Sequence, residues 1–101
     1  MKLKTERNFE KSYRQLAPSD QKRVDKAMET FKRDPRDPRL RDHPLRGQHQ
    51  GERSICVGSF LRILYILEKT QEDVRAVLMD IGTHREVYEK EHKPRKNKLY
   101  S

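Results

Sequence analysis

Between Arg33 and Gly51 the chain carries Pro35, Pro38, Pro44, Gly47 and Gly51 among many charged residues. Proline removes a backbone donor and clashes with the preceding helical turn, and glycine weakens the interior of either regular element. No long helix or central strand passes through such a stretch, which reads as a long loop dividing the chain into halves of different character. Length sets the companion limit. With 101 residues there is room for one small domain, and a second would leave neither half with a core.

Ahead of the loop, apolar residues recur with the period of a helix. Lys2 to Arg7 suggests a short polar strand. Asn8 then suits an N-cap, and Phe9, Tyr13 and Leu16 fall on one helical stripe that Pro18 must end. Ser19 is placed to cap a second helix, with Asp20 favourably in its first turn and Val24, Ala27, Met28 and Phe31 on its apolar face, closing at Asp34 before Pro35.

After the loop the pattern changes. The runs 53–57, 60–67 and 74–81 are rich in β-branched and aromatic residues, and turn signals at Gly58–Ser59 and Lys69–Asp73 separate them. Three consecutive antiparallel strands fit, the latter two apolar on both faces apart from Arg62 and Asp80, as covered central strands would be. Gly82 ends the last strand. Thr83 and Glu86 have capping-box spacing, which opens a short helix through Val87 and Tyr88. The expected architecture is α+β: an N-terminal strand and a helical hairpin packed on a small antiparallel sheet, with a short C-terminal helix. One domain spans 1–89, and 90–101 reads as a basic, mobile tail.

Charge narrows the choice of partner. Hydrophobic residues make up 32% against 40% charged, and the net charge is +8, so polyanions are attracted by long-range, salt-sensitive forces whatever the fold. Nucleic acid comes before a membrane, because no basic helix carries bulky apolar anchors opposite its lysines. The start of the chain lacks the apolar stretch of a signal peptide, and the protein is expected in the cytoplasm. Cys56 is the single cysteine, and His43, His49, His84 and His92 make no metal-ligand spacing, so neither a metal nor a cofactor is expected.

Three stretches are more specific. AspProArgLeuArgAspHisProLeuArgGly at 37–47, GlyGluArgSerIleCysValGlySerPheLeuArgIleLeuTyr at 51–65 and IleGlyThrHisArgGluValTyr at 81–88 stand in this order. Together they resemble the RelE/ParE superfamily of toxins, and within it the YafQ-like members. The resemblance runs from about Asn8 to Tyr88. It implies a RelE-like fold and metal-independent cleavage of messenger RNA on the ribosome. It also implies a cognate antitoxin as partner, in a hetero-oligomer.

By the same resemblance, His43 and His84 match histidines tied to cleavage, Tyr88 an aromatic of the same site, and Arg62 an arginine placed against the scissile phosphate. Cys56 stands where YafQ-type members have a histidine, Asp80 where they have a catalytic arginine, and Phe60 or Leu61 where many have an acid. These departures leave open a silent member that only binds antitoxin. A ParE-like inhibitor of DNA gyrase on the same scaffold also remains open.

The chemistry suits these residue types. The 2′-hydroxyl of RNA can attack the adjacent phosphorus if a base takes its proton, an acid protonates the leaving 5′-oxygen, and a cation neutralises the phosphorane-like transition state. Histidine titrates near neutral pH, and the arginine fork pairs with phosphate oxygens. Each candidate also has a plainer role. His84 serves equally as an exposed helix-start residue, His43 as a turn residue before Pro44, and Arg62 as a salt-bridge partner of Asp80. Tyr88 fits simple packing one turn beyond His84. Arg53, Arg41, Arg46, Lys93 and Arg95 are candidates for holding RNA, or ordinary solvated charge.

Overall fold

The computed structural model describes residues 1–87, the side chain of Gln48 apart. A strand β1 (Lys2–Thr5) leads into helix α1 (Arg7–Gln15) and helix α2 (Pro18–Arg33). Then come a 3-10 turn at Pro38–Leu40, strand β2 (His43–Pro44) and a 3-10 turn at Gly47–His49. Strands β3 (Arg53–Val57), β4 (Leu61–Lys69) and β5 (Val74–Thr83) follow, and a helical turn begins at His84. The sheet order is β1-β5-β4-β3-β2.

The α+β architecture and the meander of three antiparallel strands are as expected. β1 joins as a parallel neighbour of β5, with Lys2 beside Arg75 and Thr5 beside Leu78. The loop is more ordered than its prolines suggest. Its residues His43 and Pro44 pair with Ser54 and Arg53 as a short edge strand, where proline's missing donor can face solvent. The helices start earlier than their polar residues imply. Glu6, not Asn8, precedes α1, and Pro18 occupies the first turn of α2, so Ala17 takes the cap position and Ser19 lies inside. Proline suits that turn because its lost N–H would be unsatisfied there anyway.

The hairpin covers one face of the sheet. Phe9, Val24 and Phe31 are buried against Ile55, Val57, Leu61, Ile63, Tyr65, Ala76, Leu78 and Ile81, with Tyr13, Leu16, Ala27 and Met28 completing the contact. The rings of Phe31 and Tyr65 meet edge to face at 4.9 Å. The other face carries the alternate residues. Opposed residues of an antiparallel pair share a face, so Cys56, Arg62 and Gly82 form one row there, and His43, Ser54 and Leu64 the next. Met79 is an extra residue in β5, because Leu64 faces Asp80 while Tyr65 faces Leu78.

Candidate functional site

Arg62 rises from the start of β4 on the face opposite the helical hairpin, half-buried, its Nη1 donating to the carbonyl of Leu61 at 3.0 Å. Its neighbour across the ladder is Gly82. A Cβ at Gly82 would meet Cβ and Oε1 of Glu86 at 3.1 and 3.2 Å and Cγ1 of Val87 at 3.2 Å. The turn starting at His84 therefore lies on Arg62's face, and the missing side chain lets it approach. The turn is held as its spacing implied. Thr83 N–H donates to Glu86 Oε1 at 2.8 Å, and Glu86 N–H donates to Thr83 Oγ1 at 3.1 Å. Val87 is buried beneath it, and His84 is exposed.

The β3–β4 hairpin borders the same end. Its ladder with β5 finishes at Leu61 and Thr83, so the next residues along the two strands are Phe60 and His84. Phe60 is 78% exposed, a large apolar ring with no core to fill. Cys56 flanks Arg62 on the other side and is partly exposed.

His43 stands two strands away on this face, exposed. Its backbone is roughly 10 Å from that of Leu64 at ordinary strand spacing, and Arg62 is one side-chain repeat further on. His43 Nδ1 lies 2.9 Å from the carbonyl oxygen of Arg41. The residue between them is anchored from below. Asp42 accepts from Tyr65 Oη at 2.6 Å, from Arg53 Nε at 3.2 Å and from Arg53 Nη2 at 3.3 Å, while Arg53 Nε also reaches Tyr65 Oη at 3.1 Å.

Arg53 is thus engaged in tying the loop to the sheet. Arg41 and Arg46 lie exposed on either side of His43, and Tyr88, Lys93, Arg95 and the 90–101 tail fall outside the described residues. Among the described residues no group of three or more potential metal ligands occurs.

Asp80 behaves differently from a site residue. It is fully buried, its Oδ1 accepting from Ser12 Oγ at 2.7 Å and from Ile81 N–H at 2.8 Å. A carboxylate so placed pins α1 to β5 and offers nothing to a ligand in solvent. Sequence reasoning passed over Asp42, one acid in a strongly charged loop, and Phe60 drew notice only as a departure from a family pattern. Neither had a local signal of its own.

A family model described as the bacterial toxin of type II toxin-antitoxin systems, YafQ, matches residues 1–89. The chain belongs to the YafQ family of toxins. Among solved structures, this YafQ-family toxin is similar to YafQ from E. coli strain BL21(DE3), with 20% identity over 85% of this chain and 96% of that one, at a TM-score of 0.69. It is also similar to a chain of the E. coli DinJ-YafQ toxin-antitoxin complex (22% identity, 85% and 94% covered, TM-score 0.63). The YoeB/ParE toxin from Agrobacterium tumefaciens is another relative in shape (18%, 83% and 99%, TM-score 0.67). At these identities the likeness is one of fold. No curated protein matches the chain. Among the described residues no helix is long and apolar enough to cross a membrane.

Proposed function

We propose that this toxin is an endoribonuclease that cuts messenger RNA on the ribosome, with the RNA's 2′-hydroxyl as nucleophile and without a metal ion. The observation that carries the reading is the shared face: Arg62 beside the turn that starts at His84, with His43 exposed two strands away. In this reaction the 2′-oxygen bonds to phosphorus and the 5′-oxygen leaves. The products are a 2′,3′-cyclic phosphate and a 5′-hydroxyl end. His84 and His43 divide the two proton transfers, and Arg62 pairs with the non-bridging oxygens as charge builds on them.

The ring of Phe60, beside His84, offers a base a surface on which to stack. Tyr88, four residues after His84 in the sequence, belongs to the same site in this proposal. Arg41, Arg46, Lys93 and Arg95 would grip the phosphate backbone without regard to sequence, Arg53 doing so only at the expense of its contacts to Asp42 and Tyr65. A cytoplasmic antitoxin partner is part of the proposal, supported by the E. coli complex in which YafQ is bound to DinJ.

The test is to add the purified toxin to translating ribosomes and map the new mRNA ends. Cuts inside the reading frame should appear, and R62A and H84A should each slow them about a hundredfold or more. Intact mRNA with blocked DNA supercoiling would instead favour a gyrase inhibitor. Intact mRNA with antitoxin binding alone would favour a silent member.

A further inference from the structure

Arg41 is the one non-glycine residue with positive φ among the described residues, at φ 48° and ψ 43°. A residue with a Cβ holds that left-handed conformation at a cost, and such outliers persist where their surroundings over-determine them. Here the surroundings are explicit. Asp42, next in the chain, is gripped by three hydrogen bonds from Tyr65 and Arg53, both rooted in the sheet. Beyond Asp42, His43 is paired to β3 through its backbone. With both held, the peptide preceding Asp42 presents the carbonyl of Arg41 to His43 Nδ1 at 2.9 Å.

A carbonyl oxygen only accepts, so the neutral ring must carry its proton on Nδ1 and leave the lone pair on Nε2. We propose that Asp42, locked by Tyr65 and Arg53, is a positioning residue that holds the Arg41 carbonyl against His43, fixing the tautomer in which Nε2 acts as the general base. This rests on the nuclease reading for its catalytic half: His43 takes the 2′-hydroxyl proton and His84 protonates the leaving oxygen. Asp42 itself points away from the reacting atoms, into the contact with Tyr65 and Arg53. Its effect passes through the loop.

Nitrogen NMR of the labelled protein reads the tautomer directly and independently of catalysis. In the wild type with the ring neutral, His43 should show a protonated Nδ1 and a pyridine-like Nε2. D42A should turn this into a tautomer mixture and lower kcat for mRNA cleavage about tenfold to a hundredfold, with KM little changed, as expected for a misplaced base. D42N, which keeps an oxygen acceptor for the Tyr65 hydroxyl, should recover most of both.

If D42A fails to fold, Y65F keeps the ring against Phe31 and removes only the hydroxyl, and should shift the tautomer the same way. A wild-type His43 protonated on Nε2, or variants that lower Tm while tautomer and kcat stay unchanged, would overturn the proposal. Wild-type protein that leaves mRNA intact while the tautomer responds as described would sink the nuclease reading and leave the positioning role standing.

Discussion

Tyr65 joins two jobs in one side chain. Its ring fills the core against Phe31, and its hydroxyl serves the loop that carries His43. Burial, and then the hydrogen bond to Asp42, push its phenol well above the ordinary 10.0. A folded-state pKa raised in this way gives stability that is whole below the unfolded value and drains away as pH climbs through the folded one. Chemical denaturation from neutral pH upward should therefore show stability falling above about pH 10. Y65F should lose less over that range, and equal losses in the two proteins would refute the assignment. Phe60 sits at the opposite extreme, with almost nothing to lose from the fold. F60A should leave Tm unchanged and weaken binding of single-stranded RNA by about 1–3 kcal/mol, measured by fluorescence anisotropy.

Elements show where close approach matters. Gly82 opens the space into which the C-terminal turn packs, so G82A should force Glu86 and Val87 outward and destabilise the protein by about 1–3 kcal/mol in urea. Ser12 ties α1 to the buried Asp80, and S12A should cost a similar amount, about 1–3 kcal/mol, by leaving a buried carboxylate short of a donor. Both contacts also mark what could be read in advance. The meander and the Thr83–Glu86 cap were legible because strand propensity, turn residues and capping geometry act over a few positions. Ser12 and Asp80 are bonded across 68 positions, and Tyr65 and Asp42 across 23, with no periodicity to announce either pair. The two-residue β2 was hidden for the same reason, since pairing with β3 and not local propensity makes it a strand. The candidate imidazoles stood out through likeness to known toxins, and Arg62 also as a charge interrupting an apolar strand. Their common face required the register.

Over the whole molecule, charge is the dominant property. With a net +8 on 101 residues, RNA affinity should fall steeply and linearly on a log–log plot against potassium chloride. A flat response would argue that base contacts alone hold the RNA. Both sheet edges are short: β1 carries Lys2 and Lys4, and β2 includes Pro44. Each feature discourages another chain from adding itself to the sheet. The pairing of β1 with β5 has a temporal side as well. Lys2 meets Arg75 and Thr5 meets Leu78, so β1 cannot dock until β5, about seventy residues further on, has been made. His84 emerges later still. A nascent copy therefore holds β1 without its sheet partner through the synthesis of both helices, the loop and the first strands of the meander.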